Sequence, residues 1–112
     1  MSKVAAMFLL FLSLAMGACS ARRGMPYTQP ILAQEKGVLE GKMLYDRYCN
    51  SCHPQGTSGL GPAINNKPLP GFMIRFQIRH GVGVMPAFKR EVISREESKK
   101  IVAYLKELRR LD

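Results

Sequence analysis

At 112 residues the chain has room for one compact domain, which excludes a second core. Its formal charge of +9 comes from 17 Lys and Arg against 8 Asp and Glu. The basic residues are spread along the chain with acids among them, a pattern that excludes a nucleic-acid-binding arm and suits a solvated surface.

The N-terminus reads Met1-Ser2-Lys3, then apolar from Val4 to Leu14, then small residues at Ala15, Gly17, Ala18 and Cys19. A membrane span needs ~20 apolar residues to cross ~30 Å of hydrocarbon. This run reaches small and charged residues too early, so it reads as a signal peptide over residues 1–18. Leu14-Ala15-Met16-Gly17-Ala18-Cys19 resembles a bacterial lipobox, with Met16 where Leu is usual. The resemblance implies cleavage before Cys19 and lipid on its sulfur, the alternative being a type I cut nearby, for instance after Ala21. The expected destination is the periplasm, with the chain held on a membrane by that lipid. Ser20, where some bacteria mark inner-membrane retention with Asp, hints at the outer membrane. Residues 19–36 carry Arg22, Arg23, Gly24, Pro26 and Pro30 and read as a flexible tether. Such a chain spans about 20–25 Å, enough to hold a small domain just off a membrane surface.

The domain proper is expected over residues 37–112. A first helix fits Gly37 to Ser51, with Val38, Leu39, Leu44, Tyr45 and Tyr48 at helical spacing. From Pro54 to Pro70 the chain is crowded with Gly, Asn and Pro, which break helices and strands alike. A loop of this length is uncommon in so small a domain unless it wraps something, and a large flat cofactor would supply the missing core. A middle helix fits Gly71 to Arg79, with Phe72, Phe76 and Ile78 facing inward. Met43 and Met73 fall on these helices and read as packing residues. A second glycine-rich loop passes through Gly81, Gly83, Met85 and Pro86. The last helix opens at Ser94, which forms a capping box with Glu97; Glu96 and the pair Arg109 and Arg110 suit the two ends of the macrodipole. Ile101, Val102, Leu105 and Leu108 mark its apolar face. No segment reads as a strand, so the fold is all-α, and three helices alone would bury too little surface.

Cys49-Asn50-Ser51-Cys52-His53 is the C-x-x-C-H pattern of covalent haem attachment. Two thiols three positions apart at a helix end lie on one side of the chain, where each can add across a vinyl group of the same porphyrin. The adjacent imidazole is then carried to the iron. A redox disulfide between Cys49 and Cys52 would usually follow a strand in a βαβ pattern, which is absent. Zinc needs four ligands, and His80 is the one obvious N/S donor left.

On these residues the chain resembles the class I monohaem cytochromes c, from about Gly37 to Leu108. The resemblance implies a small all-α fold of three main helices and glycine-rich loops around one covalent haem c. It implies that Gly41 and Tyr45 on the first helix cross Tyr104 and Leu105 on the last. Gly61-Pro62 matches the family's Gly-Pro, which makes the Pro62 carbonyl the acceptor for the ligating His53. Met85-Pro86-Ala87-Phe88 resembles the family's methionine loop, which makes Met85 the second axial ligand and His80 a surface residue.

The expected function is one-electron transfer with His53/Met85 ligation, as a membrane-tethered carrier or small haem subunit of a respiratory complex, and not as an enzyme. Expected partners are redox proteins with acidic docking surfaces, drawn to Arg79, Lys89 and Arg90, with no nucleic acid. Two other readings stay open on the residues alone: an open-site haem protein acting as peroxidase or gas sensor, and a lipoprotein with a redox disulfide.

Overall fold

The computed structural model describes residues 3–17 and 35–111. Helix α1 (Lys3–Gly17) is followed by α2 (Lys36–Tyr48), a 3-10 turn at Pro54–Gly56, α3 (Gly71–His80) and α4 (Arg95–Arg110). Among the described residues there is no strand, only an isolated antiparallel bridge between Val82 and Met85. The architecture is the expected all-α one. Cys19 and residues 19–34 of the expected tether lie outside the described residues. Val4, Met7 and Phe8 of α1 are exposed. No described helix is long and apolar enough to cross a membrane.

The domain is built on the crossing of α2 and α4. Gly41 makes the approach possible: a Cβ at this position would overlap the main-chain carbonyl of Lys100 and touch Tyr104. One turn further on, Tyr45 packs on Tyr104 with ring centroids 5.1 Å apart and planes at 55°. Both rings are fully buried, and Val38, Ile101, Leu105 and Leu108 complete the contact. An ion pair between Glu40 and Lys100 closes its solvent side. The last helix starts where its sequence says it should. Ser94 Oγ accepts from Glu97 N at 3.1 Å, and Glu97 Oε2 accepts from Ser94 N at 2.7 Å. Two orphan donors are thereby satisfied at the helix start.

Two expectations about the faces of the helices are corrected. Phe72 and Phe76 do not point inward; they are 66% and 61% exposed. The inner face of α3 is Ile74 and Ile78, one turn apart, while Phe76 stacks on His80 along the outer face with centroids 4.1 Å apart. Met43 and Met73 are not packing residues either, at 72% and 41% exposed, and Leu39 is also exposed. α2 and α3 each bury a stripe narrower than their apolar composition suggests, because each meets the rest of the domain along one side only.

Candidate functional site

The end of α2 sets up the site. Cys49 N and Asn50 N both donate to the Tyr45 carbonyl, at 2.8 and 3.0 Å, which ends the regular winding at Tyr48. Cys52 N and His53 N then donate back to the Cys49 carbonyl at 3.2 and 2.9 Å. This tight turn keeps the two thiols and the imidazole together. The chain reverses through Gln55 and Gly56, both at positive φ (53° and 81°), and Gln55 N is held by Asn50 Oδ1 at 2.8 Å. Further bonds fold the next loop back onto the turn: Gly61 N to Cys52 O at 2.9 Å and Ile64 N to Gly56 O at 2.7 Å. The glycine- and proline-rich segment is thus an ordered wall.

His53 is buried and fixed at two points. Its Nδ1 donates to the Pro62 carbonyl at 2.7 Å. A carbonyl can only accept, so the proton sits on Nδ1 and Nε2 carries the free lone pair. Its main-chain carbonyl accepts from the Tyr45 hydroxyl at 2.5 Å. Gly61 lies against the ring, where a Cβ would collide with the imidazole. The Gly-Pro pair therefore has two separable jobs: glycine makes room for the ring, and the proline carbonyl sets its tautomer.

Cys49, Cys52, His53, Pro62 and Met85 all line one cavity of about 350 Å³, within the range of small-molecule and cofactor sites. Ile64, Leu69, Ile74, Ile78, Ile101 and Leu105 give it an apolar wall. The fully charged residues on its lining are Lys67, Lys106 and Arg109, with no carboxylate among them. Arg109 Nη1 also donates to the Lys67 carbonyl at 2.7 Å, which ties the end of α4 to the loop. An apolar cleft with two thiols, one imidazole of fixed tautomer, a thioether and a cationic rim fits a porphyrin that bears two carboxylates.

The thiol chemistry points the same way. Cys49 and Cys52 are free thiols. Burial, with a smaller contribution from Cys52, pushes Cys49 up to about 11. Among the described residues no group of three or more His, Cys, Asp and Glu is placed to hold a metal ion.

Met85 is brought to the cavity by a loop that needs its glycine at position 81. Gly81 caps α3 at φ +67°, and a Cβ there would strike the Met85 carbonyl. Met85 N donates to Val82 O at 2.9 Å, the tight turn behind the isolated bridge. His80 is exposed on the outer face of α3, its Nδ1 bonded to the Phe76 carbonyl at 2.9 Å, and it does not line the cavity.

Arg79 makes contacts that the sequence does not name. Its guanidinium is engaged with main-chain carbonyls, while Lys89 and Arg90 are exposed. Sequence reasoning also missed the Tyr45 hydroxyl and the Arg109 tie. The signal available for Arg79 was a long cation in the last turn before a glycine-rich loop, which names no acceptor.

Residues 37–105 match the family described as cytochrome C oxidase, cbb3-type, subunit III. The chain is also 35% identical over 68 residues to the 4-cresol dehydrogenase (hydroxylating) cytochrome c subunit of Pseudomonas putida. That alignment covers 61% of this chain and 59% of the relative, so the chain spans about three fifths of the relative's length. No solved structure matches. The family match contains all five residues named for the site.

Proposed function

The chain belongs to the class I monohaem cytochromes c, in the cytochrome C oxidase, cbb3-type, subunit III family, and on that premise we propose that it is an exported, membrane-tethered one-electron carrier. Haem-based electron transfer is the activity of the domain. The bound haem would supply the one-electron couple at iron. Cys49 and Cys52 would hold the porphyrin by thioether bonds, His53 Nε2 and the Met85 sulfur would bind its iron, and Pro62 keeps the His53 proton on Nδ1. With both ligands supplied by the chain, no open position would be left for a substrate, and the chain would carry electrons without being an enzyme in its own right. Lys67, Lys106 and Arg109 on the lining would supply cations for the porphyrin carboxylates.

The observation that carries this is the 2.7 Å bond from His53 Nδ1 to Pro62, made in the wall of a cavity that also contains both cysteines and Met85. Cys19 carries the lipid that holds the domain near its partner and raises their effective concentration. The partner is a redox protein subunit, in keeping with the relative's name as the cytochrome c subunit of a hydroxylating dehydrogenase. Exposed Leu60, Val82 and Val84 on the cavity rim, with Lys89 and Arg90 beyond, suit an apolar contact ringed by acids.

Two measurements test it. Mass spectrometry of the mature protein is expected to give the chain from Cys19, one haem and acyl groups together. The far-red charge-transfer band of an iron–thioether bond is expected in the oxidised protein, lost in Met85→Ala and kept in His80→Ala. The reverse pattern would make His80 the ligand, and folded protein without haem would end the proposal.

A further inference from the structure

We infer that Arg79 is the positioning residue that holds the Met85 loop closed over the cavity. The loop leaves α3 at Gly81 and rejoins the helical frame at Ser94, the N-cap of α4. Very little apolar burial holds it. Val82, Gly83, Val84, Ala87, Lys89 and Arg90 are exposed. Two side chains on its return limb anchor it: Phe88, edge-on to Tyr48 at 5.8 Å, and fully buried Ile93.

Arg79 joins both anchors to α3 at once. Its Nη1 donates to the Phe88 carbonyl at 2.9 Å and to the Ile93 carbonyl at 2.6 Å, and its Nη2 donates to the Ser94 carbonyl at 3.1 Å. The neighbouring Ile78 carbonyl accepts from Phe88 N at 2.8 Å. One guanidinium thus satisfies three carbonyls spread over seven residues. The planar fork of donors suits that task. Hydrogen bonds from a charged donor are about twice as strong as neutral ones. With few buried contacts to resist local opening, these bonds set how often the loop swings away. A side chain so engaged is withdrawn from partner docking.

The inference rests on Met85 being the iron ligand, because loop opening is then what lets the weak thioether leave the metal. Imidazole added to the oxidised holoprotein can bind only when Met85 has left, so its rate of entry reads the opening directly. In Arg79→Gln, entry is expected to be at least about tenfold faster. The far-red band is expected to fade on heating well before helix content is lost, whereas in the parent protein the two fade closer together. Arg79→Lys keeps the charge without the fork and is expected to fall between the two. Lys99→Gln removes one charge from the exposed face of α4, outside the cavity lining, and is expected to leave imidazole entry unchanged. If Arg79→Gln does not accumulate as folded holoprotein, the Lys variant carries the comparison with the same expected direction.

Entry in the Gln and Lys variants at the parental rate, with the far-red band present in the parent, would overturn the clamp and leave Met85 ligation standing. A parent protein without that band would remove the ligation and the clamp together. An electron-transfer rate that loses its salt dependence in Arg79→Gln, with imidazole entry unchanged, would return Arg79 to a docking role.

Discussion

The hydroxyl of Tyr45 donates to the main-chain carbonyl of His53 at 2.5 Å, so the helix that packs the core also fixes the proposed haem ligand. Tyr45 has no exposed surface, and its ring is locked against Tyr104. Tyr45→Phe keeps that ring contact and removes the donor, which leaves a buried carbonyl without it. The expected cost is about 1–3 kcal/mol in denaturant unfolding of the holoprotein, with absorbance bands little changed. Unchanged stability would mean that water replaces the hydroxyl.

Gly41 and Gly37 lie on the same helix and predict opposite outcomes. Alanine at 41 must push the Lys100 carbonyl away and part α2 from α4, at about 1–3 kcal/mol or more. Alanine at 37 meets nothing within 4 Å and gains helix propensity, worth about 0.5–1 kcal/mol in the stabilising direction. Thermal unfolding of the two variants side by side decides whether closeness at the crossing or glycine itself matters.

Gly61→Ala separates room for the ring from tautomer control. The added methyl collides with the His53 ring while Pro62 remains in sequence. Haem-loaded protein is expected to accumulate to a lower level, and what accumulates is expected to show a weakened His53 bond as faster loss of the low-spin spectrum in acid. Normal loading and a normal spectrum would show that the loop yields instead.

Lys106 and Lys99 lie on α4 and differ in what they face. Lys106 lines the cavity, whereas Lys99 pairs with Glu96 at 3.0 Å on the exposed face. A cation on the lining of the haem site would oppose the extra positive charge of oxidised iron. Lys106→Gln is therefore expected to lower the reduction potential at low salt, and Lys99→Gln to leave it nearly unchanged. Equal shifts in both would reduce the effect to net charge.

What the sequence made legible was local. The C-x-x-C-H turn and the Ser94–Glu97 capping box were named by spacing and the Gly61-Pro62 pair by the family resemblance, and each makes its bonds within about ten residues. Helix existence was legible for the same reason, since periodicity is a short-range property. Which face each helix buries was not. Phe72 and Phe76 are as apolar as Ile74 and Ile78, and only the position of the cavity decides between the two stripes. Arg79 was read as surface charge because its acceptors lie 9 to 15 residues away in a loop whose course no pattern fixes.

The Glu40–Lys100 pair gives the crossing a pH signature. The hydrogen bond from Lys100 is the main cause holding the Glu40 carboxyl below its ordinary 4.5, against an opposing effect of burial, and the Lys100 and Lys36 charges add to it. A carboxyl whose folded pKa is depressed contributes stability that is fully present above its unfolded value and is lost as pH falls through the folded one. Glu40 likewise raises Lys100 above 10.5, so that side of the pair is present below 10.5 and lost as pH rises through the raised value. Glu40→Gln is therefore expected to lower the unfolding temperature by a nearly constant amount across neutral pH. The difference from the parent is expected to shrink below about pH 4.5 and to shrink also with added salt, because both partners stand partly in solvent. A difference that persists undiminished in acid would assign the effect to packing at the Gly41 crossing and not to charge.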